Sequence, residues 1–128
     1  MIEAVAENET VKSEVFARLD KILARPDAIL ASNTSSIPNT KLGIATSRPE
    51  QVAGIHFFNP VPVLPLAELV PSLLTSEDTT ERAAVFATGT LGKTVVHAQD
   101  RGFVVNALLV PYLLSATIRM LESGFAPP

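Results

Sequence analysis

Four short apolar runs, separated by segments of helical periodicity, constrain the fold of this chain more than any other feature of its sequence. The runs lie at residues 28–31, 52–58, 66–70 and 94–97. A continuous apolar run of this length is typical of a strand that is covered on both faces of a sheet. Because helical segments alternate with these runs through most of the chain, the sequence predicts a doubly wound α/β fold.

The first helical segment lies near the N-terminus of the sequence. Val11, Val15 and Leu19 recur at helical spacing and predict one apolar face. Asn8 is a candidate N-cap for this helix, and Pro26 limits its far end. The segment is therefore predicted to be an amphipathic helix.

Two later helices are predicted from residues that are typical of the start or the end of a helix. Pro38 is expected to open a short helix that runs to Ala45. A further helix is expected to be capped by Thr79 or Thr80 and to end at Gly92, with that glycine in the left-handed conformation.

The segment at residues 102–123 is predicted to be a helix that is kinked or broken near Pro111 and stops at Gly124. It is apolar nearly all round, but polar residues interrupt it, so a buried helix is favoured over a membrane span. A terminal helix of this kind needs cover on more than one side. We therefore expect another subunit, or sequence beyond Pro128, to pack on it.

Composition excludes several classes of function. Hydrophobic residues make up 47% of the 128 residues, which is enough for the core of one domain. The formal net charge of -3, without a long basic run, argues against nucleic-acid binding. Cysteine is absent, which excludes disulfides and thiolate chemistry and fits a reducing compartment. The acidic N-terminus does not resemble a signal peptide, so we expect a soluble cytoplasmic protein.

Polar side chains accompany the predicted strands and are candidates for a functional site. Residues 32–36, Ser-Asn-Thr-Ser-Ser, follow one run, His56 and Asn59 lie at the end of the next, and Glu68 interrupts the third. In parallel α/β sheets, ligands bind at the carboxyl ends of the strands. A histidine, a carboxylate and hydroxyl groups that meet there would supply a general base, its orienting acid and groups that contact a substrate.

Each of these residues also has a purely structural interpretation. His56 could be a hydrogen-bonded core histidine, and Glu68 could point to solvent from an edge strand. Residues 32–36 could form an ordinary turn, and Asn106 could cap or bridge helices. His97 follows a strand with no obvious acid beside it and is interpreted as structural. Spacing alone leaves these alternatives open.

Several blocks of sequence, in order along the chain, are similar to blocks of one enzyme family. They are 3–12 (Glu-Ala-Val-Ala-Glu-Asn-Glu-Thr-Val-Lys), 31–36 (Ala-Ser-Asn-Thr-Ser-Ser), 54–62 (Gly-Ile-His-Phe-Phe-Asn-Pro-Val-Pro), 66–70 (Leu-Ala-Glu-Leu-Val), 102–106 (Gly-Phe-Val-Val-Asn) and 109–113 (Leu-Val-Pro-Tyr-Leu). The family that they resemble is the 3-hydroxyacyl-CoA dehydrogenases, and the resemblance covers essentially the whole chain.

The resemblance implies roles for four catalytic residues. His56 matches the base that takes the proton from the 3-hydroxyl group, and Glu68 matches the carboxylate that orients this histidine and favours its charged form. Ser35 matches the serine that contacts the substrate oxygen. Asn106 matches the asparagine that helps to position the substrate.

The resemblance also implies NAD as the cofactor and an acyl-CoA as the substrate, with no metal. Glu7, Lys12, Ser35 and Asn59 match positions near the ribose and nicotinamide end of NAD. The expected reaction is the oxidation of an (S)-3-hydroxyacyl-CoA to a 3-oxoacyl-CoA in fatty acid metabolism and β-oxidation, with 3-hydroxybutyryl-CoA favoured as substrate. The family further implies a homodimer.

The family's Gly-x-Gly-x-x-Gly turn, which binds the pyrophosphate, does not occur in this sequence. We therefore expect a chain truncated at both ends. Residues 1–100 would be the C-terminal part of a Rossmann-type NAD-binding domain without its first βαβ unit. Residues 101–128 would begin an all-α dimerisation domain with its first helix. The alternative is a non-catalytic fragment or interaction module that keeps inherited catalytic residues.

Two positions depart from the family pattern near the matched blocks. Arg101 stands where proline is common before Gly102, and Pro65 stands where lysine is frequent. Neither belongs to the implied catalytic set, although Pro65 could alter the approach to Glu68.

Overall fold

The computed structural model of the chain describes residues 1–100 and 110–125. Within these residues the strands are β1 Ile2–Glu3, β2 Leu30–Ser32, β3 Val52–Phe57, β4 Leu66–Pro71 and β5 Thr94–His97. The helices are α1 Glu9–Ile22, α2 Asn39–Ile44, α3 Glu77–Val85 and α4 Val110–Glu122, with a 3-10 turn at Pro49–Gln51 and a π turn at Phe86–Thr90.

The five strands form one mixed sheet in the order β1-β2-β3-β4-β5. The pairs β1–β2, β2–β3 and β4–β5 are parallel, whereas β3 and β4 are antiparallel. The assumption of a parallel sheet is therefore wrong at β4. Residues 58–65 are too short for a parallel crossover, which needs about a dozen residues or more. The reversal brings the start of β4 to the same edge of the sheet as the carboxyl ends of β2 and β3.

Most of the predicted helix ends are confirmed. Asn8 caps α1, because its Oδ1 accepts a hydrogen bond of 3.1 Å from the backbone N–H of Val11. Gly92 has a φ of 64°, as expected for a residue that ends a helical segment. The prediction that Thr79 or Thr80 caps α3 is wrong. Ser76 is the N-cap, so the helix begins with Glu77 and Asp78, whose charges suit a helix N-terminus.

The core lies on both faces of the sheet because successive strand residues point to opposite sides. One cluster joins α1 and α2 to the sheet and consists of Phe16, Leu30, Ile37, Leu42 and Val52. The other lies under α3 and consists of Ala31, Ala53, Ile55, Leu69 and Ala83. Strands β2, β3 and β4 are thus covered on both faces, whereas β5 is largely exposed and is not a covered strand.

Helix α4 exposes its apolar residues in the described chain. Tyr112, Leu113 and Ile118 are all more than half exposed. No other element within residues 1–100 and 110–125 covers α4, so the expectation that another subunit or later sequence packs on it stays a prediction. Gly124 follows the helix with a φ of 72°, as predicted for its end. The part of the predicted helix before Val110 lies outside the described residues.

No helix in residues 1–100 and 110–125 has the length and apolar character needed to cross a membrane.

Gly54→Ala is expected to destabilise the chain by about 1–3 kcal/mol. An added Cβ would lie 2.5 Å from Nδ2 of Asn39, which is fully buried and donates hydrogen bonds to the Val70 carbonyl and to Asp100. Urea unfolding measures the loss. Gly89→Ala is the matched control, because no atom lies within 4 Å of its added Cβ. Equal stability of the two variants would contradict the close contact.

Candidate active site

His56 and Glu68 form a buried pair across the antiparallel strands β3 and β4. The two residues are direct partners in the register. Their side chains meet with Nδ1 of His56 2.9 Å from Oε2 of Glu68, and the residues are 5% and 1% exposed. An ionised carboxylate only accepts hydrogen bonds, so Nδ1 is the protonated nitrogen of neutral His56. The interpretation of Glu68 as a solvent-facing edge residue is therefore wrong.

Ser35 lies on the other side of the imidazole ring. Its Oγ is 3.2 Å from Nε2 of His56. Because Nδ1 carries the proton in neutral His56, Nε2 accepts the hydrogen bond from the serine hydroxyl. Ser35, His56 and Glu68 are thus connected in a line, with the basic nitrogen of the histidine facing the half-buried serine.

The loop that carries Ser35 is organised by Glu7. Oε1 of this carboxylate accepts hydrogen bonds from the Thr34 hydroxyl at 2.5 Å and from the backbone N–H of Ser35 at 3.0 Å. Ser36 donates through both its backbone N–H and its hydroxyl, at 3.2 and 3.1 Å. Glu7 therefore holds the serine loop (residues 34–36) from a position 27 or more residues earlier in the chain.

The pKa of Glu7 lies below its ordinary value. Partial burial opposes ionisation, but the hydrogen bonds from Thr34, Ser35 and Ser36 and the charge of Lys12 outweigh it and lower the pKa. A carboxyl group with a depressed pKa stabilises the folded state at pH values above its unfolded pKa, and this contribution is lost as the pH falls through the folded pKa.

The serine loop is therefore expected to loosen only below pH 4.5, the ordinary pKa of Glu7. Protonation removes the acceptor charge that the loop donors share, while the loop keeps its native contacts at neutral pH. NMR shifts of the Ser35 and Ser36 amides should follow the titration of the Glu7 side chain. Amide shifts that instead change between pH 5 and 8, or that follow another carboxyl group, would contradict this assignment.

Lys12 is fully buried, so its amine does not face the solvent. Its Nζ donates to Oε1 of Glu3 at 2.7 Å and to the Val5 carbonyl at 3.2 Å, and it lies 3.6 Å from Oε2 of Glu7. Lys12 therefore lies in the protein interior and faces one oxygen of Glu7, whereas the other oxygen of Glu7 accepts the hydrogen bonds of the serine loop.

The remaining sequence-predicted residues have different surroundings. Asn59 is exposed two residues after the end of β3 and precedes a cis peptide bond to Pro60. Asn106 lies outside the described residues. His97 is exposed at the end of β5. The structure therefore brings together Ser35, His56 and Glu68, whereas Asn59 is exposed beyond the end of β3.

Three further residues support this arrangement, and the sequence had given none of them an individual role. Oδ1 of Asn33 accepts a hydrogen bond of 2.9 Å from the backbone N–H of Phe57, which ties the serine loop to the end of β3. Glu3 and Ser32 are buried at the ends of β1 and β2 and are joined by a hydrogen bond of 2.8 Å. In the sequence, Glu3 is a carboxylate within an apolar stretch and the first residue of the block 3–12, and neither feature indicates its buried contacts.

An open groove of about 700 Å³ lies elsewhere on the sheet. It runs between β1, β2 and α3, with Ile29, Ile55 and Phe86 in its wall and Arg25 and Arg82 among its charged residues. His56 is not part of its lining, so this groove is separate from the candidate active site.

The side chains near the carboxyl ends of β2 and β3 have the chemistry to bind the nicotinamide end of NAD. Ser35, Glu7 and Asn59 offer a hydroxyl, a carboxylate and an amide, which match the hydroxyls of a ribose and the carboxamide of nicotinamide. Within residues 1–100 and 110–125, no glycine-rich turn follows a strand to receive a pyrophosphate. The described part of the chain also contains no group of three or more residues that could bind a metal ion.

A sheet with helices on both faces and polar loops at the carboxyl ends of two parallel strands defines the class of Rossmann-type dinucleotide-binding domains. Within that class, the chain belongs to the 3-hydroxyacyl-CoA dehydrogenase family. Residues 1–101 match the family described as "3-hydroxyacyl-CoA dehydrogenase, NAD binding domain".

Individual relatives support this membership. The chain is 64% identical over 127 residues to the 3-hydroxybutyryl-CoA dehydrogenase of Mycobacterium tuberculosis strain H37Rv, covering 98% of this chain and 44% of the relative. It is 49% identical to the mitochondrial hydroxyacyl-coenzyme A dehydrogenase of Homo sapiens, of which it covers 40%.

Solved structures give the same result. The crystal structure of M. tuberculosis FadB2 matches with a TM-score of 0.92 and 63% identity, over 98% of this chain and 44% of that chain. The (S)-3-hydroxybutyryl-CoA dehydrogenase PaaH1 from Ralstonia eutropha matches with a TM-score of 0.89 and 42% identity, over 99% and 44%. This chain thus spans less than half the length of the relatives it matches.

Proposed function

We propose that this chain supplies the proton-transfer half of an NAD-dependent 3-hydroxyacyl-CoA dehydrogenase. The observation that carries the proposal is the connected line of Ser35, His56 and Glu68, with distances of 3.2 and 2.9 Å. A general base must lie within hydrogen-bond reach of the proton it removes, and Nε2 of His56 faces the place where Ser35 would contact a substrate hydroxyl.

Ser35, His56 and Glu68 have separate roles in the oxidation. Ser35 donates a hydrogen bond to the oxygen of the 3-hydroxyl and places it beside His56. Nε2 of His56 takes the hydroxyl proton, and the negative charge of Glu68 stabilises the imidazolium that forms. Bound NAD supplies the acceptor for the hydride from C3. The buried position of the His–Glu pair limits the access of water to the transferred proton.

The proposal assigns the cofactor side to Glu7, Ser35 and Asn59, with Lys12 behind Glu7. Asn106 is proposed to position the substrate. We also propose the division into a partial NAD-binding domain at residues 1–100 and the start of a helical domain at residues 101–128. The exposed apolar residues of α4 support a homodimer formed through this helical region.

The substrate class is proposed from the relatives. Proteins that are 64% and 45% identical to this chain carry the name 3-hydroxybutyryl-CoA dehydrogenase, the second as a probable assignment. A short-chain acyl-CoA and a place in fatty acid β-oxidation are therefore proposed. A cytoplasmic location is part of the proposal, and the absence of cysteine is compatible with it.

A chimeric enzyme tests the proposal independently of chain length. This chain replaces the matching 127 residues of the M. tuberculosis relative, and NADH formation from NAD and 3-hydroxybutyryl-CoA is measured. We expect turnover that disappears on His56→Ala. A folded chimera that binds NADH but does not turn over would contradict the proposal.

The second candidate function is a non-catalytic module of the same family, in which the catalytic residues are inherited without activity. The same assay on the chain of 128 residues alone separates the two functions. Turnover by the chain alone would exclude the module. An active chimera beside an inactive isolated chain would show a catalytic half-site that requires the rest of the cofactor site.

A further inference from the structure

The buried amine of Lys12 is surrounded by oxygen atoms of the protein. Oε1 of Glu3, the Val5 carbonyl and Oε2 of Glu7 lie 2.7, 3.2 and 3.6 Å from Nζ. The ammonium group donates hydrogen bonds to Glu3 and to the Val5 carbonyl, and the carboxylate of Glu7 at 3.6 Å completes its surroundings as an ion pair. With a side-chain exposure of 0%, Lys12 offers no donor to a ligand at the surface.

The carboxylate of Glu3 is the buried counter-charge of the Lys12 amine. Its side chain is 2% exposed and accepts from Lys12, from the backbone N–H of Val5 at 2.6 Å and from the Ser32 hydroxyl at 2.8 Å. A buried carboxylate is stable only when it is paired and hydrogen-bonded in this way. The pair therefore joins the end of β1, the end of β2 and helix α1.

Glu7 connects this buried pair to the serine loop. One of its oxygens faces Lys12, and the other accepts from Thr34, Ser35 and Ser36. The loop in turn sets the distance of 3.2 Å between Ser35 and His56. A continuous set of contacts thus runs from Glu3 to the candidate catalytic histidine.

We infer that Glu3 and Lys12 are positioning residues, which together hold Glu7 against the serine loop and do not contact the cofactor. Their effect on turnover rests on the proposed function, whereas their effect on Glu7 and the loop does not. Glu3 thereby has a role in the site, and Lys12 acts from the protein interior and not as a ligand of the cofactor.

Three variants of the isolated chain test the inference by NMR: Lys12→Met, Glu3→Gln and the double variant. Lys12→Met removes the charge that faces Glu7, so the Glu7 pKa should rise towards its ordinary value. Amide exchange at Ser35 and Ser36 should increase by about tenfold or more, because the carboxylate no longer stays in place. Lys41→Met is the control, since Lys41 forms an exposed ion pair with Glu9 at 2.7 Å. It should change neither quantity.

The double variant keeps the test decisive if Lys12→Met alone unfolds. Glu3→Gln with Lys12→Met leaves no unpaired buried charge, so the fold should be retained while the Glu7 pKa still rises. An unchanged Glu7 pKa in that folded variant would overturn the inference.

Titration with NADH, followed by fluorescence, distinguishes positioning from direct contact in the chimera. Glu3→Gln should weaken NADH binding in the same direction as Lys12→Met if both act through Glu7. Weaker binding by Lys12→Met alone, with Glu7 and the loop unchanged, would identify Lys12 as a direct ligand and overturn the inference. Failure of the unsubstituted chimera to bind NADH would count against the proposed function, and the NMR comparison would still decide the roles of Glu3 and Lys12.

Discussion

His56→Gln is expected to lower the turnover of 3-hydroxybutyryl-CoA by about 10²- to 10⁴-fold, the contribution typical of a positioned general base. Glutamine occupies a similar volume and keeps a hydrogen-bonding side chain beside Glu68 and Ser35, but it cannot take the hydroxyl proton. The fall should appear in kcat, because the histidine acts on the reacting proton. The measurement is steady-state NADH formation by the chimera, with far-UV circular dichroism as the test of folding.

His97→Gln is the matched control, because His97 is the second of the two histidines and lies exposed on β5. It should keep the turnover of the unsubstituted chimera within about twofold, as is usual for an exposed surface position. An equal loss in the two variants would mean that the effect does not come from proton transfer at His56. Full activity of a folded His56→Gln chimera would exclude this residue as the base.

Phe16→Ala is expected to destabilise the chain by about 3–5 kcal/mol, a loss comparable with the whole stability of many small domains. Phe16 is fully buried in α1 and packs with Leu30, Leu42 and Val52 at the junction of two helices and two strands. Removing its ring leaves a cavity that these elements cannot fill without moving. Urea unfolding of the isolated chain should show a much lower midpoint or an unfolded chain in buffer.

Phe125→Ala removes the same ring from a position that is 83% exposed, and it is the matched control. Its stability should differ from that of the parent by less than about 0.5 kcal/mol. A comparable loss in both variants would show that α1 does not form the core described here.

Local structure was predicted well where nearby residues decide it. The capping of α1 by Asn8 depends on a side chain and an N–H three residues apart. The left-handed Gly92 depends on that residue's own lack of a Cβ. The cap of α3 was misplaced because Ser76, Thr79 and Thr80 are all plausible caps, and only the packing of α3 on the sheet selects among them.

The candidate site was predicted less completely, because its contacts are long-range. The sequence and its family resemblance indicated Ser35, His56 and Glu68 as a group. They did not indicate that Glu7 would hold the serine loop, or that the amine of Lys12 would be fully buried.

By itself, the sequence determined the alternation of helices and strands, their approximate ends and the family of this chain, because these depend on periodicity, caps and short blocks of residues. Only the tertiary structure decided the antiparallel direction of β4, the register that places His56 opposite Glu68, and the contacts that join Glu3 to the serine loop. The physical reason is that burial and pairing are properties of residues brought together from distant parts of the chain. From the sequence alone, a lysine such as Lys12 is expected at the surface. In the fold its partners Glu3 and Glu7 allow the charged amine to be buried.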